Sequence, residues 1–220
     1  MLWDIDGTLV QAGEVGRDIF SEAFAVVVGR EPDEAAARML AMAGRTDLEI
    51  ALEFLANHEV ADGERHLPAF TEALVAALAT KEARIRELGR ALPGVVQSLL
   101  TGNVQANALV KLAAFGLDRY LDFEVGGFGS DHRHRPSLVG VARRKARRKY
   151  GAGFDGVATV LVGDTPLDVA AGRDGGARVV AVATGPYGVD ELRAAGADAV
   201  LDDLRDTEAT LAAILGPDGA

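Results

Sequence analysis

A pair of acidic residues near the amino terminus constrains this chain more than any other feature. The motif Asp4-Ile5-Asp6-Gly7-Thr8 follows the short apolar run Met1-Leu2-Trp3, so a strand is predicted to end in two carboxylates and a glycine turn. Successive side chains of a strand point to opposite faces, which places Asp4 and Asp6 on one side. Two carboxylates 4 Å apart repel each other by roughly 4 kcal/mol at an effective dielectric constant of 20. Such a pair favours a cation or an anionic reaction nearby, although Asp-Gly is also common in plain surface turns.

Polar residues follow two further apolar runs that are typical of strands. Ser98-Leu99-Leu100 leads into Thr101-Gly102-Asn103, and Val160-Leu161-Val162 leads into Gly163-Asp164. In an open α/β sheet, ligands bind beyond the carboxyl ends of the strands. The sequence therefore predicts that Asp4, Asp6, Thr101 and Asp164 meet at one edge of a sheet.

These segments resemble the motifs of the haloacid dehalogenase-like superfamily of phosphatases. The family pattern is Asp-x-Asp-Gly-Thr, then Ser or Thr after a strand, then Lys or Arg, then Gly-Asp-x-x-x-Asp. The order and the spacing match over nearly the whole chain, from Met1 to about Leu215. The matching residues are Asp4, Asp6, Thr101, Arg135, Asp164 and Asp168.

The arrangement of predicted elements agrees with an α/β fold that carries a helical insert. From Val157 onward strand-like and helix-like runs alternate, which is typical of βαβ units and a parallel sheet. Helical runs without convincing strands are predicted near residues 15–28, 34–42, 47–57 and 67–88. We therefore expect a Rossmann-like parallel sheet core, residues 1–11 and 93–220, and an α-helical cap domain, residues 12–92, inserted after the first strand. In this family such caps close over the site and exclude water.

One segment departs from the family pattern. Leu92-Pro93-Gly94 usually opens a helix that returns to the next strand, but here only Val95-Val96-Gln97 precedes Ser98. A parallel pair generally needs a crossover of a dozen or more residues. Either the chain has lost this helix or the sequence omits a disordered stretch, and we favour omission because loss would uncover one sheet face.

The resemblance implies a role for each acidic residue. Asp4 would be the nucleophile and a Mg²⁺ ligand, since an ionised carboxylate attacks phosphorus without a base. Asp6 would bind the metal through its backbone carbonyl, and its side chain would exchange protons with the leaving alcohol and with water at a raised pKa. Asp164 would bind the metal through its side chain, and Asp168 would be a ligand or would orient one.

The remaining site residues are expected to bind phosphate or substrate. Thr101, with the amides of Gly102 and Asn103, would hold phosphate oxygens, and Arg135 would neutralise their charge. Arg135 is alternatively a plain surface charge, because many relatives use lysine here and further basic residues follow. Arg45, in a loop between two cap helices, would read a carboxylate or second phosphate of the substrate, or would be a solvated arginine beside a helix cap.

The composition of the chain limits the classes of partner that we expect it to bind. The net charge of −10 argues against nucleic acid, and the basic run at residues 143–149 is predicted to be the solvated face of an amphipathic helix. Apolar stretches are far shorter than the roughly 20 residues of a membrane span, and no signal peptide is visible, so a cytoplasmic location without membrane contact is expected. The sequence leaves the oligomeric state open.

We therefore predict a phosphatase that requires Mg²⁺ and hydrolyses a small phosphorylated metabolite through an aspartyl-phosphate. Asp6 favours phosphate esters over halides, because dehalogenating members carry another residue at that position. Thr-Gly-Asn and Gly-Asp-Thr-x-x-Asp look most like the phosphoglycolate phosphatase branch. The alternatives are a phosphosugar mutase of the same fold, and a non-catalytic binding protein if the segment around Val95 distorts the Thr101 strand.

Overall fold

A parallel sheet forms the centre of the molecule. The structure is a computed structural model that describes residues 1–6, 8, 10–11, 15–81, 90–91 and 98–216. Six strands pair in the order β5-β4-β1-β6-β7-β8, and every pair is parallel. The strands are β1 (Leu2–Trp3), β4 (Ser98–Thr101), β5 (Gly127–Phe128), β6 (Val160–Gly163), β7 (Arg178–Val182) and β8 (Ala199–Leu201). The predicted α/β fold class is confirmed.

Helices cover both faces of this sheet. Alternate residues of the strands supply the two faces, so that Trp3, Leu99 and Val162 pack in one cluster while Leu2, Leu100 and Leu161 pack in another. The helices of this part are α5 (Gln105–Ala113), α6 (Arg135–Tyr150), α7 (Pro166–Asp174), α8 (Val189–Ala194) and α9 (Thr207–Leu215). The first cluster includes side chains of α5 and α9, and the second includes side chains of α6 and α7.

Residues 15–81 form a helical segment with a hydrophobic cluster of its own. Its helices are α1 (Val15–Val28), α2 (Glu34–Met39), α3 (Asp47–Asn57) and α4 (Gly63–Ala79). The cluster is built around buried phenylalanines of α1, α3 and α4, and it also takes in Ala114, beside α5. The short strands β2 (Val10–Gln11) and β3 (Arg90–Ala91) pair antiparallel, so the chain runs side by side on both flanks of the segment. The description of residues 12–92 as a cap domain stays a prediction.

Several predicted boundaries differ from the observed ones. Helix α2 ends at Met39 rather than at residue 42, and α4 begins at Gly63 rather than at residue 67, with Pro68 inside the helix. The strand predicted to begin at residue 157 begins at Val160, because Gly156–Ala158 forms a 3₁₀ turn that starts from a positive φ at Gly156. Residues 82–88 of the predicted helix, and the shortened segment around Val95, lie outside the described residues.

The basic run of the sequence lies on α6. Three of its cations pair with acidic side chains of the same surface: Lys145 with Asp131 at 2.7 Å, Arg147 with Asp155 at 3.1 Å, and Lys149 with Asp122 at 2.7 Å. These pairs reduce the net positive charge of the helix face. Within the described part of the chain, no helix combines the length and the apolar character that a bilayer crossing requires.

Candidate active site

The central strands end in the predicted site residues. Asp4 follows β1, Thr101 ends β4 and Asp164 follows β6, and these three strands are neighbours with β1 in the middle. The Asp4 N–H donates to the Val162 carbonyl at 2.9 Å, which continues the sheet by one bond and fixes the Asp4 backbone. Three residues that are far apart in the sequence therefore meet at one edge of the sheet.

Three carboxylates form the centre of the site. One carboxylate oxygen from each of Asp4, Asp164 and Asp168 lies within 4.8 Å of the others, and all three side chains are buried. Asp6 is not in this carboxylate group, and its side chain is 46 % exposed. This is compatible with the predicted use of its backbone carbonyl, rather than its side chain, as a metal ligand.

Local contacts hold the two later carboxylates in place. The Thr8 hydroxyl donates to Asp164 Oδ1 at 2.9 Å, and the backbone at Gly185 lies so close to Asp164 that an added Cβ would stand 1.8 Å from Oδ2. Asp168 belongs to a capping box at the start of α7, where its Oδ2 accepts from the N–H and the hydroxyl of Thr165 at 3.1 and 2.7 Å. These bonds favour the predicted orienting role of Asp168.

A buried arginine joins two of the carboxylates. Arg135 begins α6, and its Nη2 donates to Asp4 Oδ1 at 2.7 Å and to Asp168 Oδ1 at 2.5 Å. Burial lowers the pKa of Arg135, but the charges and hydrogen bonds of Asp168 and Asp4 outweigh burial and raise the pKa overall, so the guanidinium is charged. Its Nε is buried and has no hydrogen-bond partner among the described residues.

Crowding raises the pKa values of two acids. Burial and the neighbouring Asp168 and Asp6 raise the pKa of Asp4 to about 7, although Arg135 acts in the opposite direction. Burial and the charges of Asp4 and Asp168 raise the pKa of Asp164 to about 8. A cation among these oxygens would relieve both effects, because it favours the charged form of each acid. The oxygen-only donor set is compatible with a hard divalent cation.

The pKa of the Asp6 side chain is shifted in the direction opposite to the predicted one. Burial alone would raise its pKa, but Lys111, through its charge and its hydrogen bonds, and then Asn103 outweigh burial and place the pKa below its ordinary value. Lys111 Nζ donates to both carboxylate oxygens at 2.7 Å, and Asn103 Nδ2 donates to Oδ2 at 2.7 Å. The predicted raised pKa of Asp6 is therefore wrong for this arrangement, because a cation absent from the motif stabilises the carboxylate.

The loop after β4 is partly occupied by its own hydrogen bonds. Thr101 Oγ1 accepts from the backbone N–H of Asn103 at 3.2 Å and from its side-chain Nδ2 at 2.8 Å. A hydroxyl has two acceptor positions and one proton, so Thr101 still has its proton to donate. Asn103 thus connects Thr101 with Asp6. Its backbone N–H, which is predicted to bind a phosphate oxygen, donates to Thr101 Oγ1 instead.

The loop at residues 44–47 packs directly onto this phosphate-site loop. A Cβ added to Gly102 would lie 2.0 Å from the Arg45 carbonyl oxygen, so only glycine fits this contact. The Asp47 N–H donates to the Gly102 carbonyl at 2.9 Å, and the Asp47 carboxylate accepts from the Val104 N–H at 3.0 Å. Burial raises the pKa of Asp47 to about 6, and the charge of Lys111 opposes that rise.

Arg45 itself is bound within the helical segment. Its Nη1 donates to the Ala41 carbonyl at 2.9 Å and pairs with Glu53 at 2.5 Å, while Nη2 donates to the Glu49 carbonyl at 3.4 Å. The neighbouring Thr46 caps α3, and its hydroxyl donates to the Arg133 carbonyl at 2.8 Å. The predicted substrate contact of Arg45 requires the guanidinium to leave Glu53, and it stays a prediction.

The structure thus unites almost all predicted site residues and adds two. Asp4, Asp6, Thr101, Gly102, Asn103, Arg135, Asp164 and Asp168 lie together. Lys111 and Asp47 belong to the same site but carry no motif. Lys111 shares one face of α5 with Asn107, but its contact with Asp6 has no signal in the sequence.

A parallel sheet whose adjacent strands lead into clustered carboxylates, next to a buried arginine at the start of a helix, is typical of an α/β enzyme that binds its ligand at the strand ends. Residues 1–173 match the family model of the haloacid dehalogenase-like hydrolases, and the chain belongs to this family. The family match confirms the predicted resemblance and the predicted enzyme class, a hydrolase.

Individual proteins are similar to the chain over most of its length. Probable phosphatase IndB of Dickeya dadantii (strain 3937) is 28 % identical over 167 residues, which cover 68 % of this chain and 70 % of that protein. A hydrolase from Pseudomonas syringae shares the fold with a TM-score of 0.66 at 20 % identity, covering 96 % of both chains. CbbY from Rhodobacter sphaeroides, solved in complex with phosphate, has a TM-score of 0.63 at 21 % identity and covers 93 % of this chain and 94 % of its own.

Proposed function

We propose that the protein is a phosphatase that requires Mg²⁺ and hydrolyses a small phosphorylated metabolite through an aspartyl-phosphate on Asp4. The observation that carries this proposal is the position of Asp4. Its carboxylate lies at a central strand end, bonded to Arg135 and within 4.8 Å of two further buried carboxylates. A carboxylate in this setting can face a dianionic phosphate only if the surrounding negative charge is neutralised.

The metal assignment follows from the donor set. Asp4 and Asp164, with the backbone carbonyl of Asp6, would hold Mg²⁺, and Asp168 would orient the group through Arg135 and Thr165. When bound, the ion supplies charge neutralisation at the phosphate. The raised pKa values of Asp4 and Asp164 support a cation at this position, because burial and then neighbouring acids disfavour the ionised form of each.

The protein residues divide the reaction into two steps. In the first, the negative charge of the substrate favours protonation of Asp6, whose carboxylate is ionised in the free protein. Asp4 Oδ then forms a bond to phosphorus while the bond to the leaving oxygen breaks, and Asp6 gives that oxygen its proton. In the second, Asp6 takes a proton from water, the water oxygen bonds to phosphorus, and the bond between Asp4 Oδ and phosphorus breaks, which frees Asp4 and inorganic phosphate. Arg135 and the Thr101 hydroxyl would hold the phosphate oxygens through both steps. The phosphate complex of CbbY, a protein of the same fold, supports a phosphate site here.

Substrate selection belongs to residues 12–92, which we propose to act as a cap. The packing of the loop at residues 44–47 on Gly102 covers the phosphate loop, as water exclusion during phosphoryl transfer requires. Arg45 would contact a second anionic group of the substrate after leaving Glu53. A substrate of the phosphoglycolate type fits that requirement, since it carries both a phosphate and a carboxylate.

Hydrolysis of p-nitrophenyl phosphate with and without Mg²⁺ tests this function. We expect turnover that stops when the metal is chelated, and loss of turnover in Asp4→Asn, because an amide is not a nucleophile. Acid-quenched enzyme should carry one phosphoryl group on Asp4 in the wild type only. Lys81→Ala is the control, since Lys81 pairs with Glu22 of the helical segment rather than with a site residue. Full turnover by Asp4→Asn would contradict the assignment.

The same assay separates the alternatives. A phosphosugar mutase returns the phosphoryl group to bound substrate, so it would need a bisphosphate activator and release little inorganic phosphate. A non-catalytic binding protein would show no turnover with any phosphate ester. A panel of phosphorylated metabolites then identifies the substrate.

A further inference from the structure

Lys111 is a buried cation that the motifs of the chain do not include. Its side chain is 7 % exposed, and it reaches from α5 to Asp6, 105 residues away in the sequence. Burial of an ammonium is costly unless the charge is paired and hydrogen-bonded. Lys111 meets this condition through Asp6, whose two oxygens it contacts at 2.7 Å each, and its charge also acts on the neighbouring Asp47.

Polar side chains lie on one face of α5 and in the loop before it. Asn107 and Lys111 are four residues apart and share one face of the helix, whereas Asn103 lies two residues before the helix begins. Asn107 is 1 % exposed, and neither polar atom of its amide has a hydrogen-bond partner among the described residues. Apolar side chains are usual at such buried positions. Asn103 and Lys111 both donate to Asp6, so these two buried side chains hold that carboxylate.

The hydrogen bonds leave one defined position open on Asp6. A carboxylate offers about four acceptor positions, two on each oxygen. Among the described residues, Oδ2 accepts from Lys111 and from Asn103, whereas Oδ1 accepts from Lys111 only. The side chain is 46 % exposed. Oδ1 is therefore the oxygen with the freer approach for an incoming group.

We propose that Lys111 is a positioning residue that fixes the Asp6 carboxylate so that Oδ1 meets the leaving-group oxygen. This proposal rests on the proposed phosphatase function, in which Asp6 gives that oxygen its proton. Asn103 fixes the second oxygen and ties the carboxylate to Thr101, so that the proton donor and the phosphate site keep a constant separation. Lys111 itself touches neither substrate nor phosphorus in this scheme.

The leaving group provides a test that a merely structural role would not pass. Nitrophenolate departs with little need of a proton, whereas an alkoxide needs one, and general acid catalysis contributes roughly 10²–10⁴-fold. In Lys111→Met, we expect kcat/KM for a simple alkyl phosphate to fall at least about tenfold more than kcat/KM for p-nitrophenyl phosphate. The ratio of the two values within one preparation does not depend on the fraction of folded enzyme.

Two further variants complete the experiment. Lys111→Arg keeps a cation with several donors and should preserve most of the ratio. Lys81→Met makes the same substitution at a lysine paired with Glu22 outside the site and should leave the ratio at the wild-type value. The proposal would be overturned if Lys111→Met left the ratio of the two kcat/KM values unchanged. It would also be overturned if Lys111→Arg changed the ratio as much as Lys111→Met does. A wild-type protein that hydrolyses neither substrate would instead overturn the proposed function, and this assignment with it.

Discussion

At the scale of single residues, the cluster of buried carboxylates lowers the stability of the metal-free protein. Asp164 lies beside Asp4 and Asp168, and its burial and then the charges of these two acids raise its pKa to about 8. We expect Asp164→Asn to raise the melting temperature of the metal-free protein, by about 2–4 °C for each 1 kcal/mol of relieved repulsion. The amide oxygen can still accept the Thr8 hydroxyl, so the fold is kept. Thermal unfolding without metal measures the effect.

The same variant should lose its response to the metal. Added Mg²⁺ stabilises the wild type in proportion to the logarithm of its concentration over Kd, and this stabilisation should fall sharply in Asp164→Asn. Asp190→Asn is the control, because Asp190 is an exposed aspartate paired with Arg193. Equal stabilisation of Asp164→Asn and wild type by Mg²⁺ would remove Asp164 from the metal site.

At this scale, the position of a residue could be predicted where that residue follows a local motif, while its role stays a prediction. Asp4, Thr101 and Asp164 follow apolar runs, and the sheet edge brings such positions together by topology alone. Lys111 and Asp47 carry no such local signal, because their partners lie 105 and 57 residues away. The direction of the Asp6 pKa shift depends on Lys111, so a prediction from the motif could not include it.

At the scale of elements, the contact between two loops sets the distance between the helical segment and the sheet. The backbone at Arg45 lies against Gly102, where a Cβ would be 2.0 Å from the carbonyl oxygen. We expect Gly102→Ala to push the two loops apart and to lower kcat/KM by about 10²-fold, the scale associated with a 1 Å misplacement. Kinetics with p-nitrophenyl phosphate measure the loss.

A second glycine separates this effect from glycine replacement as such. Gly140 lies inside α6, and the nearest atom to an added Cβ is the end of a flexible Arg144 side chain at 3.4 Å. Gly140→Ala should leave kcat/KM unchanged and stabilise the helix by roughly 0.5–1 kcal/mol. Wild-type kinetics in Gly102→Ala would show that the loop contact does not matter for turnover.

Most elements could be predicted because their periodicity is strong, while their ends depend on tertiary context. The helices predicted near residues 15–28 and 47–57 have the same ends as Val15–Val28 and Asp47–Asn57. Helix α4 begins four residues before its predicted start, since Pro68 fits inside the helix. The contact of α4 with α5, which joins the two hydrophobic clusters beside Ala114, has no local signal in the sequence.

At the scale of the whole molecule, the buried acids should make stability depend on pH in an unusual direction. The folded pKa values of Asp47, Asp4 and Asp164 are raised to about 6, 7 and 8, above the ordinary value of 3.8. At a pH between the ordinary value and these raised values, the folded protein binds more protons than the unfolded chain. The free energy of unfolding therefore decreases as the pH rises. The melting temperature of the metal-free protein should therefore fall between about pH 5 and pH 7.

The metal should oppose this trend, because a cation among the oxygens favours the ionised acids and lowers their folded pKa values. With saturating Mg²⁺, the melting temperature should fall less steeply over the same range or not at all. Asp164→Asn without metal should also show a shallower fall, since one of the three acids no longer titrates, whereas Asp190→Asn should follow the wild type. Melting curves at closely spaced pH values, with and without Mg²⁺, give all four slopes.

A melting temperature that rises from about pH 5 to pH 7 in the metal-free wild type would mean that the acids are ionised there without a cation. The charge balance on which the proposed metal site rests would then be wrong.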